Sequence, residues 1–219
     1  MLSDPAAGAP RKLLPSPLYA ILDASQSRGR PLTSVLREFL KGGAKLIQLR
    51  AKELSSGDFF ALAKEARQIT RDAGSLFIVN DRADIALGCS ADGVHLGQED
   101  LPLHAARKIL GKDKLIGIST HDLAQASEAE RLGADYIGFG PIFGTTTKET
   151  GHSPRGLEML REVRIAIKIP IVAIGGITES SVAEVWKAGA DAAAIISDLM
   201  GAEDAGDKVR RILTSHRVS

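Results

Sequence analysis

Three short stretches place charged or amide side chains directly after apolar runs. In "LIQLRAKE", Gln48 and Arg50 alternate and therefore share one face of an extended chain, with Lys52 just beyond. In "LFIVNDRAD", Asn80 and Asp81 follow four apolar residues, and in "GVHLGQED" the run ends at Asp100. A guanidinium grips phosphate oxygens in pairs, while an ammonium acts as a point charge. Two carboxylates brought to one level repel unless a proton or a metal joins them. Oxygen donors that leave room for water and substrate phosphate suit Mg2+. The chemistry implied is the handling of a metal-bound anion. The bland alternatives are a salt bridge for Arg50 and helix N-capping for Asp81 and Asp100. For the two aspartates taken alone capping would win, whereas polar spacing inside an apolar strand favours a ligand for Arg50, and together the residues favour a ligand.

A second anion site is expected near the C-terminus. Gly175 and Gly176 in "IGGIT" let the backbone approach a ligand closely, and Ser197 in "IISD" offers a hydroxyl. Ser119 in "STHD" can face the ligand, whereas Asp122 reads as a helix cap. His95 lies inside an apolar strand, which suits a supporting role. Between the two sites runs "GFGPIFGTTTKETGHSPRG", residues 138–156, too polar to be buried and too long for a simple connection. With Gly144 and Gly151 near its ends it reads as a lid carrying Lys148.

The elements that must position these residues recur along the chain. "GAKLIQLR" at Gly43, "SADGVHLG" at Ser90, "GADYIGFG" at Gly133 and "GADAAAII" at Gly189 share one rhythm: a small residue ends a helix, the chain turns and a buried strand begins. Apolar runs at 18–22, 76–79, 115–118 and 170–174 fall between them, giving eight strands. Strand starts lie about 17 to 35 residues apart, enough for a loop and a helix each time. Strands this apolar are covered on both faces. The fold class expected is α/β, a single (β/α)8 TIM barrel spanning 18–219, with an open doubly wound sheet as the alternative. In a barrel the chemistry lies where the strands end, which is where the residues above fall. Residues 1–17, rich in proline and alanine, read as a flexible N-terminal extension.

Composition narrows the function. The 219 residues carry 28 basic and 27 acidic side chains, so a general nucleic-acid or membrane surface is not expected. The one cysteine rules out an internal disulfide framework and fits a cytoplasmic setting.

In combination, "QLRAKE", "FIVNDRADIA", "DGVHLGQEDLP", "GISTHDLAQ", "GADYIGFGPIFGTTTKETG" and "IPIVAIGGIT" resemble the thiamine phosphate synthase family from Leu18 to the C-terminal helix. The resemblance implies a transferase that joins hydroxymethylpyrimidine diphosphate to hydroxyethylthiazole phosphate with Mg2+, releasing thiamine phosphate and pyrophosphate. It implies that Gln48, Arg50, Lys52, Asn80, Ser119 and Lys148 meet the pyrimidine diphosphate, with Leu49 and Ala51 counted in the same segment. Asp81 and Asp100 would hold Mg2+. Thr145, Thr146 and Thr147 would meet the thiazole phosphate and the product, and Gly176, Ile196 and Ser197 would cradle that phosphate. Arg50, Lys52, Lys148 and Ser119 would carry the catalysis. Strand one departs from the family pattern in reading "LDAS", and Asp198 after Ser197 would cap a helix or weaken anion binding. A homo-oligomer is compatible with these features. The alternatives are a related barrel that binds or isomerises a thiazole phosphate without coupling it, and a non-catalytic regulator.

Overall fold

The computed structural model describes residues 14–144 and 153–218. Eight parallel strands close into a barrel in chain order: β1 (Leu18–Asp23), β2 (Leu46–Arg50), β3 (Leu76–Asn80), β4 (Gly93–Leu96), β5 (Leu115–Thr120), β6 (Tyr136–Phe139), β7 (Ile171–Ile174) and β8 (Ala192–Ile195). Helices follow the strands: α1 (Leu32–Lys41), α2 (Ser56–Asp72), α3 (Ala83–Gly88), α4 (Leu103–Leu110), α5 (Leu123–Arg131), α6 (Gly156–Ala166), α7 (Val182–Lys187), the single turn α8 (Ser197–Met200) and α9 (Ala205–Val218). The barrel expected from the repeat is therefore present, and the open sheet is excluded. The turn α8 had no sequence signal, because one turn cannot show a period.

Strand alternation divides the apolar residues into two cores. Leu18, Ala20, Leu22, Ile47, Leu49, Phe77 and Val79 face outward under the helices. Tyr19, Ile21, Leu46, Ile78, Tyr136, Val172, Ala192 and Ala194 fill the lumen. The Tyr136 ring fits there because a glycine leaves it room. A Cβ on Gly117 would lie 2.1 Å from Tyr136 Cζ.

The four-fold sequence rhythm has a physical origin. Gly43, Ser90, Gly133 and Gly189 all take left-handed φ values, of 102°, 57°, 87° and 105°. Each lies between a helix and an even-numbered strand. The alanine after each donates its N–H back five residues, as Ala44 does to Phe39 O (3.0 Å) and Ala134 to Ala129 O (3.0 Å), which closes a Schellman turn. The aspartate that follows in three of the four is a staple. Asp92, Asp135 and Asp191 each accept an N–H from the start of the preceding strand, from Phe77, Ile116 and Ile171, at 2.8 Å in each case. An arginine of the even-numbered helix before it clamps each carboxylate: Arg67, Arg107 and Arg164. In the first unit Lys45 stands in the aspartate's place and donates to Ala73 O instead.

The last residues of the expected extension, 14–17, pack on the barrel. Leu14 packs against the lumen core, Ser16 Oγ accepts the Leu18 N–H (3.1 Å), and Pro17 O accepts from Trp186 Nε1 (3.0 Å). Residues 14–17 thus belong to the barrel's underside, and the remainder of the expected extension, 1–13, lies outside the described residues.

Candidate active site

The inward positions at the C-terminal ends of the strands open into one pocket. β2 supplies Gln48 and Arg50, β3 supplies Asn80, β4 His95 and β5 Ser119. The opposite wall is Gly175, Gly176, Ile196 and Ser197, with Gly140 and Pro141 between. Gln48, Arg50, Asn80 and Ser119 therefore face Gly175, Gly176, Ile196 and Ser197 across one cavity, as strand order in a closed barrel allows. Leu49 and Ala51 depart from the expectation. Leu49 points outward into the helix-side core and Ala51 is buried there too, so neither side chain lines the pocket. Register explains Leu49: it alternates with Gln48 and Arg50.

Arg50 combines both readings of it. Its Nη1 donates to Asp23 Oδ2 at 2.7 Å, and Asp23 is 1% exposed. Asp23 also accepts from Ser25 N and Ser25 Oγ, at 3.0 and 2.8 Å. The buried carboxylate offsets the cost of placing a guanidinium in the barrel mouth, and Arg50 still lines the pocket.

Lys52, Asp81 and Asp100 cluster together outside the residues that line the pocket. Lys52 Nζ lies 2.9 Å from Asp81 Oδ2. Burial, and then the adjacent Asp81 carboxyl, push the Asp100 carboxyl above its usual range. The capping alternative fails for both aspartates. The residues at the N-caps of α3 and α4 are Arg82 and Pro102. Asp100 Oδ2 instead accepts the Gly97 N–H at 2.6 Å, closing the loop after β4. Asp81 sits at φ 63°, a left-handed backbone that aspartate tolerates better than most residues, and its N–H donates to His95 O at 2.8 Å. Among the described residues no group of three or more His, Cys, Asp or Glu is arranged to hold a metal. Two carboxylates fit Mg2+ that completes its shell from water and phosphate oxygens, and they do not fit an ion caged by protein alone.

Asp122 caps α5 as expected, accepting from Gln125 N at 2.8 Å. Asp198 does not cap. It binds Lys208 Nζ at 2.6 Å and accepts the Glu179 N–H at 2.9 Å, so its charge is answered away from the pocket. Gly175 and Gly176 have φ of 100° and 65°. Added Cβ atoms there would meet Pro141 Cβ at 2.5 Å and Gly144 O at 2.4 Å. These glycines are needed by the chain after β6 that packs on them, a reason the sequence alone did not show. Lys148, Thr145, Thr146 and Thr147, and with them the middle of the expected lid, residues 145–152, lie outside the described residues.

Sequence reasoning missed Tyr19, Tyr136 and His121. Tyr19 and Tyr136 are the protein's two tyrosines, and both stand at inward strand positions, Tyr19 lining the pocket and Tyr136 packed against His95. Gln48 Nε2 donates to Tyr19 Oη (2.9 Å), the tyrosine hydroxyls are 3.0 Å apart, and Tyr136 Oη is 3.1 Å from His95 Nδ1. His95 Nε2 then meets Ser119 Oγ at 3.0 Å. The supporting role expected for His95 thus has its geometry. Alternation was an available signal for Tyr19, which shares parity with Asp23, but not for Tyr136, which shares parity with Gly138 alone.

The family model described as thiamine monophosphate synthase matches residues 18–199. The thiamine-phosphate synthase of Moorella thermoacetica is 49% identical over 195 residues, covering 89% of this chain and 93% of that protein. That of Chloroflexus aurantiacus is 47% identical, covering 89% and 90%. A thiamine phosphate pyrophosphorylase structure from Pyrococcus furiosus superposes with a TM-score of 0.83 at 41% identity, covering 94% of this chain and 97% of that one.

Proposed function

The chain belongs to the thiamine monophosphate synthase family, and from that premise we propose how its pocket works as a thiamine phosphate synthase. The substrates are hydroxymethylpyrimidine diphosphate and hydroxyethylthiazole phosphate, and the products are thiamine phosphate and pyrophosphate. The reaction moves a pyrimidinylmethyl group from diphosphate oxygen to thiazole nitrogen. The observation that carries this reading is one cavity with a cationic wall, Arg50, facing a wall of glycine backbone and a hydroxyl, Gly176 and Ser197. Two anions can be held there without sharing a cradle.

In this reading Gln48 and Asn80 orient the pyrimidine, and Arg50 and Ser119 contact its diphosphate. Lys52, paired with Asp81, is assigned to the same charge. Asp81 and Asp100 would hold Mg2+, which supplies stabilisation of the negative charge that grows on departing pyrophosphate. The aminopyrimidine ring can donate electrons to its CH2, so the carbon–oxygen bond breaks first and the thiazole nitrogen attacks the resulting cation. No nucleophilic side chain is required. The protein contributes electrostatic stabilisation and positioning. Lys148 is assigned to the diphosphate, and Thr145, Thr146 and Thr147 to the thiazole phosphate and product. A cytoplasmic setting fits the buried thiol of Cys89.

Purified protein given both substrates and Mg2+ should form thiamine phosphate. Absence of product under every divalent metal would refute the coupling, and thiazole phosphate binding without turnover would favour the non-coupling barrel. Asp81→Asn separates the metal assignment from folding, because asparagine also tolerates the left-handed backbone. It should abolish Mg2+-dependent turnover while thiazole phosphate still binds; full activity would overturn the assignment.

A further inference from the structure

A hydrogen-bonded chain at the pocket floor runs from Gln48 on β2, through Tyr19 on β1, Tyr136 on β6 and His95 on β4, to Ser119 on β5. It crosses the lumen, and every member but Tyr136 lines the pocket. Both tyrosines are 1% exposed. Each tyrosine hydroxyl has one proton to give, and a neutral imidazole has one donor and one acceptor nitrogen. The direction of one link therefore fixes the next.

As placed, Gln48 Nε2–H donates to Tyr19 Oη. The Tyr19 proton then goes to Tyr136, and the Tyr136 proton to His95 Nδ1. The imidazole hydrogen must sit on Nε2, where it donates to Ser119 Oγ. The Ser119 proton is left to turn toward the pocket, where an anion would accept it. If the Gln48 amide turned over, every link would reverse, and Ser119 would present a lone pair instead. A chain with one reversed link holds either two opposed protons or an unmet lone pair. In a buried site either fault is costly, so the chain orders as a unit.

We propose that Tyr19, Tyr136 and His95 are positioning residues of a proton-ordered relay, through which the amide orientation of Gln48 decides whether Ser119 donates to or accepts from a ligand. A ligand amine that donates to Gln48 Oε1 holds Nε2 toward Tyr19 and so makes Ser119 a donor on the diphosphate side. This consequence rests on the reading of the pocket given above, whereas the relay itself does not.

The test reads the His95 tautomer by long-range 1H–15N correlation in the ligand-free protein, with the signal assigned by its loss in His95→Asn. Wild type should show Nε2–H. Gln48→Glu, whose carboxylate only accepts, should convert His95 to Nδ1–H. Tyr136→Phe removes the proton opposing Nδ1 and should end the exclusive Nε2–H population, which keeps the relay testable if Gln48→Glu does not fold. An Nδ1–H tautomer in wild type, or an unchanged tautomer in either folded variant, overturns the relay. Turnover supplies a separate reading. Tyr136→Phe should lower kcat about tenfold, the worth of one hydrogen bond in the transition state. In a Ser119→Ala background the same change should cost nothing further. Additive losses would show that Tyr136 does not act through Ser119. Because the tautomer arm uses neither substrate nor turnover, failure of the synthase reading leaves it standing.

Discussion

Gly117→Ala tests whether the lumen is built around the Tyr136 ring. An added Cβ would lie 2.1, 2.4 and 2.5 Å from Tyr136 Cζ, Cε2 and Oη. Contact between carbons becomes comfortable only near 3.5 Å, so the ring must move by more than one ångström. It cannot move freely. Tyr136 stands edge-on to Tyr19, with centroids 6.1 Å apart, and tilted against His95 at 5.5 Å. Overpacking a core by a methyl group costs about 1–3 kcal/mol, and each hydrogen bond the ring gives up adds about 1 kcal/mol. A loss of about 3 kcal/mol should lower the thermal midpoint by roughly 6–12 °C for a chain this long. Calorimetry or circular dichroism melting would measure it. Gly57→Ala is the control: its nearest non-neighbouring atom is Ser55 Oγ at 4.0 Å, and in the first turn of α2 alanine is the better helix former. A Gly117→Ala midpoint within about 2 °C of wild type would refute the packing argument, since that is less than 1 kcal/mol.

Two more outcomes follow from the same geometry. Asp135→Ala removes both the acceptor of the Ile116 N–H and the partner of Arg107, and should cost about 2 kcal/mol, a fall of roughly 4–8 °C in the melting midpoint; Glu128→Ala, which breaks only an exposed pair with Arg131, should leave the midpoint unchanged. Burial raises the pKa of both tyrosines, so the folded chain keeps protons that the unfolded chain releases. Their contribution to stability is therefore complete below about pH 10 and is lost as pH rises further. Ultraviolet difference absorbance should show no tyrosinate until far-ultraviolet circular dichroism reports unfolding, and ionisation of the native protein near the ordinary tyrosine range would refute it.

The barrel was legible in the sequence because its information is local. Eight apolar runs, helices between them and a small residue before each even-numbered strand are written in neighbouring residues, and the left-handed φ at Gly43, Ser90, Gly133 and Gly189 is the physical content of that rhythm. Gln48, Arg50, Asn80 and Ser119 were found for the same reason: polarity at the end of an apolar strand marks the barrel mouth. Leu49 and Ala51 were drawn in by proximity along the chain, and strand alternation turned Leu49 outward. What only the tertiary structure decided involves partners far apart in sequence. Asp23 answers Arg50 from another strand, the space over Gly117 belongs to Tyr136, and Gly176 is shaped by Gly144 as much as by any ligand. Tyr19 and Tyr136 meet 117 positions apart, and nothing local to either says that a hydroxyl waits opposite. Spacing along the chain specifies which face a residue takes. Only closing the sheet into a ring specifies what it faces, because closure joins β1 to β8 and brings every inward residue into one lumen.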